Sequence, residues 1–287
     1  MTGFQKFFLF YIVTVCTSTT LPGCTSGKQN YPTPPEYDLN HPVKITMPAE
    51  LNEISGIFYY PKDTSIFAES DASGALYKIF PDKKTVVQKW KFGKNDDYED
   101  LQLVDSTFYI LSSKGNIVSL RFFSADSIDV KTFEFPVKGK NEFESLYYDK
   151  TTGLLMILCK DCEADKKGSL SVWSFNPVTQ VYNPGLFTMD VTRIEEQVVK
   201  KKIRFKPSAA ALNPLTNELF IICSIEKVLV VADNNGVVKN IYPLDPDIYK
   251  QPEGMAFTPS GDLLISNEFA NEGSANILLI KNKRKLP

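Results

Sequence analysis

Ser55-Gly56-Ile57-Phe58-Tyr59 is the first of five similar stretches in this chain. The others are Glu99-Asp100-Leu101-Gln102-Leu103, Glu144-Ser145-Leu146-Tyr147-Tyr148, Ser208-Ala209-Ala210-Ala211-Leu212 and Glu253-Gly254-Met255-Ala256-Phe257. Each opens on Ser or Glu, and an apolar run follows. They recur at intervals of 44, 45, 64 and 45 residues. A period near 45 residues marks one supersecondary unit repeated around a ring or along a stack.

Within each period, short β-rich runs alternate with turn residues. The first repeat predicts strands near 55–60, 65–70, 75–80 and 84–90, with turns at Pro61-Lys62-Asp63 and Ala72-Ser73-Gly74. The fourth predicts strands near 208–213, 217–223, 227–232 and 237–243, with Asn234-Asn235-Gly236 as a hairpin turn. Four strands per repeat point to propeller blades. The last repeat has room for only three strands before Pro287. Val43-Lys44-Ile45-Thr46-Met47 supplies the fourth, and its length completes one period. Pairing it with the last blade removes both open sheet edges. The expected fold is therefore all-β: a five-bladed β-propeller of four-stranded blades, closed by an N-terminal strand. Six blades would need another blade hidden in the 64-residue interval, whose excess is roughly half of one. That excess carries Thr192-Arg193-Ile194-Glu195, a capping-box pattern. Val191, Ile194 and Val198 share a helical face, so a short helix is expected over 190–202. Lys200-Lys201-Lys202 reads as its solvated end.

Outside the repeats, the N-terminus reads as an address. The apolar run Phe7–Val15 is too short to span a bilayer, which takes about 20 residues. Leu21-Pro22-Gly23-Cys24 follows and resembles a bacterial lipobox. The expected organisation is a signal peptide over 1–23, a lipidated Cys24 with a Pro-rich tether over 24–42, and the propeller over 43–287. The membrane is then a partner through the lipid at Cys24. Thr25 is not the Asp of inner-membrane retention, and Thr25–Asn30 lacks an acidic surface-export run. Anchoring to the outer membrane, facing the periplasm, is the corresponding expectation.

Composition removes several classes of function. The net charge of −2 carries no basic excess, so no nucleic-acid partner is expected. His41 is the only histidine, and it precedes the first repeat. A Ser-His-Asp triad and a His-rich metal site are thereby excluded. Cys159, Cys162 and Cys223 read as buried packing thiols, with a Cys159–Cys162 disulfide as the alternative.

The first strand of each propeller blade lines the central channel. Ser55, Glu99, Glu144, Ser208 and Glu253 are therefore expected around one mouth. Three carboxylates there must be spread apart, protonated or neutralised by a cation. Oxygen donors suit a hard ion, so Glu99, Glu144 and Glu253 are candidate ligands of Ca²⁺ or Mg²⁺. The competing reading is that these carboxylates bond backbone N–H groups of adjacent blades and pin the ring. Ser55 and Ser208, with Glu69 and Asp71 after the first blade's second strand and Asn267 and Glu268 after the last blade's, complete a candidate channel-mouth ligand site. Flanking Glu53, Asp97, Asp100 and Glu142 make the expected rim acidic, with Lys160 as its one visible lysine. Such a rim suits a cation or a hydroxyl-rich small molecule and repels polyanions. Tyr59, Tyr147 and Phe257 recur at matching positions and are expected to pack between blades.

The segments Glu53-Ile54-Ser55-Gly56, Tyr98-Glu99-Asp100-Leu101, Phe143-Glu144-Ser145-Leu146, Lys206-Pro207-Ser208-Ala209 and Gln251-Pro252-Glu253-Gly254-Met255-Ala256 resemble the SdiA-regulated family of bacterial propeller proteins. Phe67-Ala68-Glu69-Ser70-Asp71 and Leu264-Ile265-Ser266-Asn267-Glu268 resemble that family's second strands. The resemblance spans residues 45–281 and implies an exported or lipid-anchored, NHL-like propeller. That family is similar in turn to gluconolactonase-like enzymes, which hold a divalent metal in the channel with Glu, Asn and Asp. The resemblance implies Glu253 and Asn267 for two of those positions, and the remaining ligands have no counterpart here. The expected function is an envelope lipoprotein with a propeller that binds or scaffolds a small-molecule or protein ligand and holds a divalent cation. The alternative is a metal-dependent lactonase or esterase using the channel carboxylates.

Overall fold

The computed structural model describes residues 30–284 apart from 72, 84, 125–126, 199–203 and 270–272. The segment expected to be a signal peptide, Cys24 and Lys200–Lys202 lie outside the described residues. The sheets are five, each of four antiparallel strands. Blade one holds β2 (Ile54–Tyr60), β3 (Ser65–Ser70), β4 (Ala75–Phe80) and β5 (Thr85–Lys91), after β1 (Val43–Thr46). Blade two holds β6 (Tyr98–Val104), β7 (Thr107–Ser112), β8 (Ile117–Phe122) and β9 (Ile128–Phe133). Blade three holds β10 (Phe143–Asp149), β11 (Leu154–Cys159), β12 (Ser169–Asn176) and β13 (Val181–Asp190). Blade four holds β14 (Ala209–Leu212), β15 (Leu219–Cys223), β16 (Val228–Ala232) and β17 (Val238–Pro243). Blade five holds β18 (Pro252–Phe257), β19 (Leu263–Asn267), β20 (Asn276–Ile280) and, as its outer strand, β1.

The five innermost strands touch in the order β2, β6, β10, β14, β18 and back to β2, so the ring closes. β1 completes it by pairing antiparallel to β20, Val43 opposite Leu279 and Thr46 opposite Asn276. Among the described residues, the long third interval holds no sixth blade. It is filled by the ten-residue β13 and by α1 (Thr192–Val198). The helix is shorter at its start than expected because β13 continues through Asp190. Asp190 Oδ1 accepts the Thr192 N–H at 2.9 Å, while Glu195 turns away to the Phe205 N–H at 3.4 Å. The expected capping box is therefore not formed, although Val191 and Ile194 bury as one face.

Period-two alternation gives every blade two apolar faces, and each face needs a neighbour. The hydrophobic core is accordingly divided into five layers, one at each blade junction. Tyr147 packs between blades three and four, Phe257 against the layer between four and five, and Tyr59 against that between five and one. Tyr37 and Leu39, from the stretch read as a tether, belong to the layer between blades four and five. Tyr31–Pro42 is thus packed on the propeller and not an extended spacer, because two large apolar side chains in it find a groove.

Candidate functional site

The mouth is built by a repeated irregularity in the innermost strands. Tyr98 pairs with Ser112 and Asp100 with Leu111, which leaves Glu99 as an extra residue. Glu144 is extra in the same way between Phe143 and Ser145, and Glu253 between Pro252 and Gly254. In blade one, Ser55 and Gly56 together oppose Glu69. A bulge frees a residue from the ladder and re-aims its side chain. The next position is crowded against the neighbouring blade. A Cβ on Gly56 would stand 2.5 Å from the Asp100 Cα, and one on Gly254 only 2.1 Å from the Ser55 carbonyl oxygen. Glycine is required at both places by this close approach.

The ring is pinned by groups beside the cassette glutamates. Asp100 is fully buried and accepts the Leu101 N–H at 2.8 Å and the Leu146 N–H of blade three at 2.7 Å. Ser208 Oγ donates to the Pro252 carbonyl at 2.8 Å, joining blade four to five. Ser266 Oγ donates to the Ser55 carbonyl at 2.7 Å, joining five to one. Glu69 is buried and accepts the Gly56 N–H at 2.7 Å. Burial raises the carboxyls of Glu69 and Asp100 well above the ordinary range against these hydrogen bonds. Asn267 is also buried, its Nδ2 donating to the Ile248 carbonyl and to Asn276 Oδ1, both at 3.1 Å.

Glu99, Glu144 and Glu253 reach the mouth but do not form one tight ligand set. Glu144 contacts the Lys160 ammonium, which also lies 3.0 Å from Glu142. Burial, then the charge of Asp97, pushes Glu99 up to about 8, while Lys160 pulls it down. Burial raises Glu253 too, against a hydrogen bond from Ser224 and the charges of Lys160 and Lys227. The carboxylates that converge are Glu53, Asp71 and Glu268, with oxygens within 4.8 Å of one another. Burial, then the hydrogen bond with Glu53 and its charge, pushes Glu268 up to about 9. Gln251 Nε2 also donates to Glu268. Three hard oxygen donors at this spacing fit Ca²⁺ or Mg²⁺ better than a soft ion. Sequence alone places Glu53 as a flanking acid, since it precedes its cassette by two residues.

The mouth is less uniformly acidic than its sequence suggested. Lys206, Lys227 and Lys250 join Lys160 around a cleft between blades three, four and five. Lys206 stands two residues before Ser208, the place held by Asp97 and Glu142 in their repeats, so the repeat alignment contained its signal. Lys227 and Lys250 come from connections that the cassette does not reach. A second difference is that Cys159 and Cys162 form a disulfide, both buried, while Cys223 is a free buried thiol. The two residues inside that small ring face the mouth: Lys160 meets Glu144, and Asp161 meets Lys140 at 2.7 Å and Lys206 at 2.9 Å. These two lysines hold Asp161 down at about 2.

No family model and no curated protein matches the sequence. Among solved structures, a glutaminyl cyclase of Myxococcus xanthus aligns with a TM-score of 0.58 at 13% identity, over 84% of this chain and 95% of that one. A luciferin-regenerating enzyme aligns at 0.51, also 13% identical, over 84% of this chain and 96% of that one. Likeness at this identity shows a shared propeller fold and leaves function to the site.

Proposed function

We propose that this chain is an envelope lipoprotein of the SdiA-regulated type, anchored to the outer membrane through Cys24, whose propeller holds a divalent cation at its axial mouth and binds a ligand there. The observation that carries the cation reading is the convergence of Glu53, Asp71 and Glu268. Ca²⁺ or Mg²⁺ at that point relieves a repulsion otherwise relieved by protons. Glu99 and Glu253 border the ion as outer charges, and Glu144 remains with Lys160. Binding or scaffolding is favoured over lactone or ester hydrolysis because, among the described residues, no complete set of nucleophile, base and oxyanion donors accompanies the carboxylates.

Melting of EDTA-treated protein, followed during titration with Ca²⁺, Mg²⁺ and Mn²⁺, tests this. A saturable rise in melting temperature is expected with at least one ion, lost in Glu268→Gln and kept in Glu144→Gln. No shift with any ion rejects the cation, and a shift lost in Glu144→Gln but not Glu268→Gln relocates it. Loss of fatty-acid labelling in Cys24→Ala checks the anchor separately.

A further inference from the structure

The cleft beside the acidic cluster has a volume of about 290 Å³. This is at the small end of ligand pockets, which run from about 300 to 1,000 Å³. Its charged lining is Lys160, Lys206, Lys227 and Lys250 against Glu144 and Glu253. We propose that this cleft binds a small organic anion, through carboxylate or phosphate oxygens, on the ammonium groups of Lys206, Lys227 and Lys250.

The charges of the wall do not cancel. Lys160 is matched by Glu142 and Glu144. Asp161 is one carboxylate shared between Lys206 and Lys140. Lys227 Nζ donates to the backbone carbonyls of Ser224 at 2.5 Å and Lys250 at 2.6 Å. Carbonyls orient an ammonium without neutralising it, and no ion pair of Lys227 occurs among the described residues. Lys250 is exposed and likewise forms no ion pair among them. Over the lining itself, four lysines face two glutamates. Lys227 is half-buried, and that burial makes its charge costly until an anion arrives. The lining contains lysines and no arginine, so it offers point charges without a planar fork. Selection is then by charge and size. Ile225, largely exposed at the lip, supplies an apolar contact for the carbon frame of an organic anion. The acidic cluster of Glu53, Asp71 and Glu268 adjoins the cleft at Gln251, which lines the cleft and donates to Glu268. This proposal does not depend on the cation reading, and its test excludes divalent ions.

Isothermal titration of the whole protein, stripped with EDTA and then dialysed free of the chelator into metal-free buffer, with succinate in one arm and inorganic phosphate in another at ionic strength matched with sodium chloride, tests it. Saturable binding in at least one arm is expected, and the arm that binds identifies the anion chemistry. Lys206→Gln and Lys250→Gln should each weaken that binding by about tenfold, the scale of one charge-assisted contact. Lys239→Gln, which removes an exposed pair with Glu218, should leave it unchanged. Lys250 is exposed with no ion pair among the described residues, so its variant keeps the test readable if Lys206→Gln lowers stability. Absence of saturable binding of both probes up to about 10 mM overturns the proposal. So does binding that Lys250→Gln leaves unaltered.

Discussion

Asp100 and Glu99 are neighbours with opposite tasks. The bulge lifts Glu99 out of the ladder toward the mouth, while Asp100 turns inward and ties blade two to blade three through two backbone N–H groups. Removing the Asp100 carboxyl leaves both donors buried without an acceptor, at about 1–3 kcal/mol each. Asp100→Ala should therefore lower unfolding free energy by about 2–5 kcal/mol, read from the urea midpoint. Glu99→Gln should cost little, since Glu99 makes no hydrogen bond among the described residues and burial already disfavours its charge. Equal losses in the two variants would refute this division of labour. The same division explains what was legible in the residues. A Ser or Glu recurring at intervals of 44, 45, 64 and 45 residues identifies the mouth, but the choice between cation ligands and ring ties is made one residue later, at Asp100, and in blade four by Ser208 itself.

At the scale of elements, β1 and the segment before it close the last blade from outside. The strand was readable because its length filled a missing quarter of a blade. The packing of Tyr31–Pro42 was not, because four prolines masked two core residues. Tyr37 is fully buried, and its hydroxyl donates to the Gly261 carbonyl at 2.8 Å while accepting from Asn213 at 3.0 Å and Asn282 at 3.3 Å. Gly261 lies in the β18–β19 turn and Asn213 follows β14, at the end of the blades opposite the mouth. Tyr37→Phe keeps the ring and strands these partners, so a loss of about 1–3 kcal/mol is expected. Ion and anion affinities at the mouth should not change. Calorimetric melting together with either titration checks both halves of that expectation. The disulfide ring shows the opposite coupling, since Cys159 and Cys162 hold the loop whose Lys160 and Asp161 set the charge pattern of the mouth.

The whole molecule carries its acid–base signature at one end. Glu99 and Glu268 keep their protons up to about 8 and about 9, against an ordinary value of 4.5. Between those limits the folded chain binds protons that the unfolded chain has released. Stability from these groups is therefore full below 4.5 and falls as pH rises through about 8 to 9. Glu69 and Asp100 act in the same direction. Asp161 acts oppositely, but its loss falls below 3.8, outside that window. Melting without divalent ions should thus occur at lower temperature at pH 8.5 than at pH 5.5, by about a few degrees. Glu268→Gln should reduce the slope. A cation at Glu53, Asp71 and Glu268 must displace the proton held there. The direct measurement is calorimetric titration of Ca²⁺ into EDTA-stripped protein at neutral pH, in two buffers of different ionisation heat. Saturable binding with net proton release, both absent in Glu268→Gln, is the predicted result; no binding, or binding without proton release, would contradict a cation held by these carboxylates.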